Sequence, residues 1–157
     1  MRENRRPPLA KSRVHKWPKL VPPLLLIFAS VALAAADGGD LAGTWKTEHG
    51  DAKIRIAPCG PNLCGTIVWL AAPNDPAGRP VTDVNNPDPE KRDRPVIGLT
   101  ILTGLTKSGE RWRGRIYNSD DGKDYDLEVA LLDERRAAVR GCVLGGLFCG
   151  GETWTRE

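Results

Sequence analysis

The chain has 157 residues, with 23 basic and 20 acidic side chains and a formal net charge of +3. Seven of the basic residues and one acid, Glu3, fall in the first 36 positions, so residues 37–157 carry 16 basic and 19 acidic side chains, a net of −3. That balance excludes a nucleic-acid partner, which demands a basic face, and a stretch of 121 residues suits one domain.

Residues 1–36 read as a secretory leader. Seven basic residues between Arg2 and Lys19 precede an apolar stretch from Leu24 to Ala36 that ends in Ala34-Ala35-Ala36. A charged segment, an apolar core and a small-residue site predict cleavage after Ala36. The apolar stretch is shorter than the ~20 residues of a spanning helix, so no membrane span is expected after cleavage; an uncleaved anchor is the alternative. The expected location is periplasmic or secreted, with residues 37–157 as the mature domain.

The first three strands are predicted near 42–47, 52–58 and 64–70. Pro61-Asn62 suits the centre of a type I turn, which sets Cys59 against Cys64, Ile56 against Ile67 and Ile54 against Trp69. In that register the isoleucines and Trp69 face inward, while Lys53, Arg55 and a disulfide face out.

Residues 71–94 form a polar stretch with five prolines. Structureless connections beyond ~12 to 15 residues are usually functional or disordered. Asp83, Asn86, Asp88, Arg92, Asp93 and Arg94 share this loop. Asp83-x-Asn85-Asn86-x-Asp88 offers oxygen ligands for calcium, but it lacks the spacing, glycine and terminal glutamate of an EF-hand. Asp83, Asp88 and Asp93 could instead supply a carboxylate pair for glycoside hydrolysis. The favoured reading is structural: Arg92 and Arg94 pair with Asp88 and Asp93 and hold the loop against the domain.

Strands four to six are predicted near 96–104, 111–117 and 124–131, from the alternation Trp112-x-Gly114-x-Ile116 and Tyr125-x-Leu127-x-Val129-x-Leu131. Ser119-Asp120-Asp121-Gly122 is a hairpin turn between the last two. Strands seven and eight are predicted near 137–144 and 147–155. With Gly145-Gly146 as their turn centre, Cys142 faces Cys149, Val143 faces Phe148, and Glu152 points inward opposite Val139. An exported chain with two such pairs favours two disulfides, and neither pair has the spacing of zinc ligands. No metal and no cofactor is expected.

Eight short strands without a helix of three turns predict an all-β fold. The expected architecture is an eight-stranded antiparallel barrel with one long loop between strands three and four. An immunoglobulin-like sandwich is the alternative, though its long-range Cys-Trp-Cys pattern is missing. Gly43-Thr44-Trp45 and Trp154-Thr155-Arg156 resemble the calycin arrangement of lipocalins, in which a basic residue from the end of the barrel covers a first-strand Trp. Trp45, Trp154 and Arg156 would then close the barrel.

Cys59-Gly60-x-x-Leu63-Cys64-Gly65, Val68-Trp69-Leu70, Asn86-Pro87-Asp88-Pro89, Arg92-x-Arg94-Pro95, Asp121-Gly122-Lys123-x-Tyr125 and Val139-Arg140-Gly141 are together similar to a bacterial exported family called domain of unknown function 2147. The resemblance covers nearly all of residues 37–157. It implies a lipocalin-like barrel in the envelope and brings no established activity.

Residues for catalysis are sparse. After cleavage the only histidine is His49, in a turn; Ser108 and Ser119 lie in turn sequences, and all four cysteines have partners. The expectation is an exported noncatalytic protein whose barrel holds a small apolar or amphipathic ligand. Trp69, Trp112 and Tyr125 would line it, Glu152 would be an interior polar anchor, and the loop would form a lid. A glycan-directed hydrolase using the loop carboxylates is one alternative. The other is a solid barrel that serves as a structural or partner-binding envelope protein.

Overall fold

The computed structural model describes residues 41–157, so the expected leader and its cleavage site lie outside the described residues. Eight antiparallel strands follow one another round a closed barrel. They are β1 (Gly43–Lys46), β2 (Ala52–Cys59), β3 (Asn62–Leu70), β4 (Thr100–Ser108), β5 (Arg111–Asn118), β6 (Lys123–Leu131), β7 (Arg136–Val143) and β8 (Phe148–Arg156). Closure comes from β8 pairing with β1, Trp45 opposite Arg156 and Lys46 opposite Thr155, which leaves the sheet without a free edge. Among the described residues no helix is long and apolar enough to cross a membrane.

The up-and-down order sends alternate connections to opposite ends. Tight turns β2–β3, β4–β5 and β6–β7 make one end, and the β1–β2, β3–β4, β5–β6 and β7–β8 connections make the other. Toward the tight-turn end the interior is filled by Trp45, Leu63, Leu105, Trp112, Val129 and Ala137, all at most 3% exposed. Burying an aliphatic or aromatic side chain of this size stabilises by about 1.5–3 kcal/mol, so this half carries the core.

Both expected disulfides are present. The second hairpin has the expected register, with Cys142 opposite Cys149, Val143 opposite Phe148 and Val139 opposite Glu152. The first does not. Cys59 faces Asn62, Ala57 faces Cys64 and Ile54 faces Ile67, so the turn centre is Gly60-Pro61 rather than Pro61-Asn62. Gly60 takes φ +69°, the conformation a two-residue hairpin loop wants at its first central position. The disulfide therefore runs diagonally across the ladder, with a Cα separation of 5.7 Å. Because the slip is two residues, the isoleucines still point inward.

Trp69 does not. A register shift between Lys53 and Ile54 sets Trp69 opposite Lys53. The indole is 40% exposed, with the Lys53 ammonium 5.3 Å from its ring centroid. A bulge of this kind re-aims the side chains beyond it. The fourth strand also starts later than expected, at Thr100 rather than near 96. Val96 and Leu99 are instead the buried end of the long connection.

Arg156 seals the tight-turn end. Its guanidinium carbon lies 4.3 Å from the Trp45 ring centroid, and Nη1 donates to the Ala42 carbonyl at 2.7 Å while Nε donates to Glu134 O at 2.8 Å. Trp45, 0% exposed, donates its Nε1 hydrogen to Leu41 O at 2.9 Å. The neighbouring Gly43 has φ +141°, and a Cβ there would sit 2.7 Å from Arg156 Nη1. The Gly-x-Trp motif is thus a space requirement as well as a packing one.

Candidate functional site

At the end with the long connections the interior is not filled. A cavity of about 750 Å³ opens there, within the range of small-ligand pockets. Its deep wall is aliphatic, from Ile54 on β2, Ile67 on β3, Ile101 on β4 and Ile116 on β5. The opposite wall belongs to β7 and β8, where Gly141, Gly150, Glu152 and Trp154 face inward. Gly141 stands directly opposite Gly150, and a Cβ on Gly150 would meet nothing within 4 Å. The space is open at Gly150, whereas Gly141 is covered, a Cβ there meeting Tyr125 Cβ at 3.5 Å and Ile116 Cγ2 at 3.7 Å.

Glu152 stands on this wall, one inward-facing position nearer the mouth than Trp154. The Trp154 indole donates to Glu152 Oε1 at 2.5 Å. Tyr125 lines the cavity nearer the mouth and donates its hydroxyl to Asp121 Oδ2. That bond first, and burial second, hold the Tyr125 phenol above its ordinary pKa.

Of the aromatic residues expected in the lining, Tyr125 is there, as is the anchor Glu152. Trp69 is on the outer face because of the bulge. Trp112 points inward but fills the closed half at 2% exposure, its ring lying under the Lys107 ammonium at 5.0 Å. Trp154, expected at the barrel closure beside Arg156, is buried at 3% exposure on the closing strand β8 and also lines the cavity.

The long connection does not dangle. Asp83, 0% exposed, accepts Arg94 Nε at 3.0 Å, Arg94 Nη2 at 2.8 Å and Asn86 Nδ2 at 2.7 Å on Oδ2. Its Oδ1 accepts the Tyr117 hydroxyl at 2.7 Å. Burial alone would raise the Asp83 pKa, but the bonds from Tyr117, Asn86 and Arg94, with the Arg94 charge, outweigh it and hold the carboxyl below its ordinary value. Tyr117 is pushed the other way, first by burial and then by its bond to Asp83. Asn86, 4% exposed, also takes Asp88 N at 2.9 Å on Oδ1 and gives its backbone carbonyl to Arg92 Nε at 2.8 Å. Asn85 adds a further tie, donating to Asp120 O at 2.9 Å on the β5–β6 turn.

The expected loop pairs are therefore reassigned. Arg94 pairs with Asp83, Arg92 with a backbone carbonyl, and Asp88 with Lys91 at 2.8 Å. A basic partner for a fully buried acid needs to be close in space, and the backbone brings Asp83 and Arg94 together through the Asp83 N to Arg94 O bond of 3.0 Å, the adjoining Val96 N to Val81 O bond of 2.9 Å and the Thr82–Pro95 bridge. The loop is a latched wall, with Thr82, Val84 and Asn85 on the cavity rim. Asp83 itself is spent on the latch and Asp93 is exposed, so the loop carboxylates do not form a facing pair across the cavity. Among the described residues, no group of three or more histidine, cysteine, aspartate or glutamate side chains is placed to hold a metal ion.

Residues 43–156 match the family described as "Uncharacterized protein conserved in bacteria (DUF2147)". The chain belongs to this family. Among solved structures it is similar to protein HP1028 from the human pathogen Helicobacter pylori, described as belonging to the lipocalin family. The likeness has a TM-score of 0.65 at 21% identity and covers 74% of this chain and 82% of that one. At that identity it establishes a lipocalin-like fold. No curated protein matches the sequence.

Tyr117, Trp154 and the Gly141/Gly150 pair carry much of the site and were not singled out for it by sequence. The pattern Gly150-x-Glu152-x-Trp154 does hold the signal, because alternate residues of one strand share a face.

Proposed function

We propose that this protein is an exported, noncatalytic binding protein of the bacterial envelope that holds one small apolar or amphipathic ligand in the open half of its barrel. The observation that carries the reading is the cavity of about 750 Å³ above a fully packed lower half. A barrel that needed its interior only for stability would fill both halves, since unfilled apolar volume weakens packing. A lipocalin-like fold is compatible with such a role. Export is supported by the leader-like sequence of residues 1–36 and by two disulfides with no free cysteine among the described residues.

Native mass spectrometry of the protein purified from its own envelope tests this. A bound small molecule of constant mass, weakened or lost when Gly150→Leu narrows the cavity, is expected. Repeated preparations carrying no small molecule would refute the reading and leave a ligand-free structural protein.

A further inference from the structure

Taking the cavity as the ligand site proposed above, we infer that its occupant is an amphiphile with a cationic head, an alkylamine or alkylammonium in chemical class. The charges on the wall set the sign. Asp51, Asp120 and Glu152 line the cavity, and among the described residues no lysine, arginine or histidine does. The described chain is not short of cations: it has 16 lysines and arginines against 17 acids. They are placed elsewhere. Arg94 is neutralised by Asp83, Arg111 and Arg115 pair on the outer face with Glu128 and Asp126, and Arg156 lies over Trp45.

Glu152 makes the inference specific. Glu152 is half-buried on the cavity wall, and its partner among the described residues is the neutral indole of Trp154, on Oε1 alone. Its Oε2 is left to the cavity. An ammonium seated there would supply the missing counter-charge through a charge-assisted contact. Trp154 and Tyr125 line the same space, and aromatic rings favour a cation electrostatically; the Tyr117 ring already carries the Arg94 guanidinium at 5.9 Å. The open space at Gly150, where a Cβ would meet nothing within 4 Å, gives a head group room beside Glu152, and the isoleucine wall takes the tail. Fatty acids and other anionic lipids meet like charge at the mouth from Asp51 and Asp120. The wall thus selects by repulsion as well as attraction.

Calorimetric titration of the full chain with decyltrimethylammonium and decanoate, each below its micellar concentration, and with decanol below its solubility limit, tests the inference. The cation is expected to bind at least roughly tenfold tighter than decanol, on the order of one desolvated charge contact, with decanoate weakest. Glu152→Gln should bring the cation down to the level of decanol and leave decanol unchanged. Gly150→Leu should weaken all three, separating cavity binding from adhesion to the exposed Leu144, Leu147 and Phe148 at the β7–β8 connection. Equal affinity for decanoate and the cation, or no effect of Glu152→Gln, overturns the cationic head while the cavity reading stands. Binding unchanged by Gly150→Leu, or silence from all three probes, removes the cavity reading and the inference with it.

Discussion

Asp83→Asn should loosen the wall of the cavity while leaving the barrel folded. The carboxylate is fully buried and takes four hydrogen bonds, three on Oδ2 and one on Oδ1. An asparagine in the same pose keeps one acceptor oxygen for Arg94 and Asn86. It turns an amide toward the Tyr117 hydroxyl, which can rotate to accept. What is lost is the charge opposite Arg94. Breaking a buried ion pair costs about 3–5 kcal/mol, but the Arg94 side chain is 40% exposed and can regain water, so about 2–3 kcal/mol is expected. For a domain of this size that lowers Tm by about 10 °C.

Hydrogen exchange separates latch from barrel. The Val96 amide, bonded to Val81 O at 2.9 Å, and the residue-83 amide, bonded to Arg94 O at 3.0 Å, should lose roughly thirtyfold in protection. The Val129 amide on β6, in the closed half, should keep most of its own. The pH dependence has a fixed sign. Because the folded Asp83 pKa lies below its ordinary 3.8, its stabilisation is complete above about pH 5 and is lost as pH falls through the lower folded value. Wild type and Asp83→Asn should therefore differ at pH 7 and converge in strong acid. A variant with unchanged Tm and unchanged Val96 protection would refute the latch.

Gly43→Ala places a Cβ 2.7 Å from Arg156 Nη1 at a φ of +141°, so it should destabilise by about 1–3 kcal/mol; urea unfolding reads the loss, and near-UV dichroism should report the displaced Arg156–Trp45 stack. Removing either disulfide as a paired Cys→Ser change opens a loop of sequence separation 5 or 7, and each loss should cost about 2 kcal/mol in the chain-entropy picture, read as a lower urea midpoint with an unchanged slope.

The barrel, both disulfide pairings and the inward Glu152 were legible in the sequence because alternation and cysteine spacing are local. Register was less so. A disulfide closes across directly opposed residues, as at Cys142 and Cys149, or diagonally, as at Cys59 and Cys64, so cysteine symmetry alone does not centre a turn. The glycine at position 60 decided it. Alternation also assigns a face but not a depth. Trp112 and Tyr125 both face inward, yet Trp112 sits three residues from the tight β4–β5 turn and becomes core, whereas Tyr125 starts a strand at the open end and becomes wall. Trp69 was misread because one bulge, an extra residue on β3 between Ile67 and Trp69, reverses the facing of that strand's end. The Asp83–Arg94–Tyr117 latch joins residues up to 34 positions apart, and no short-range rule reaches that far.

The paired glycines at the cavity decide whether its emptiness is an accident of packing. Gly in a strand interior is weaker than a residue with a side chain by about 0.5–1 kcal/mol, and here two of them face each other where nothing crowds a Cβ on Gly150. Crowding does explain other glycines, since a Cβ at Gly114 would lie 2.6 Å from Thr103 O and one at Gly151 would lie 2.7 Å from Val139 O. It does not explain Gly150. If the space serves a ligand, stability and binding should move in opposite directions there. Gly150→Leu should raise stability by about 1 kcal/mol, from the strand preference and from partial burial against the isoleucine wall, while weakening ligand binding. A thermal melt set beside the titrations measures both. A Gly150→Leu protein that is less stable than wild type would mean that the glycine answers a backbone demand, and the cavity would then be a by-product of the fold.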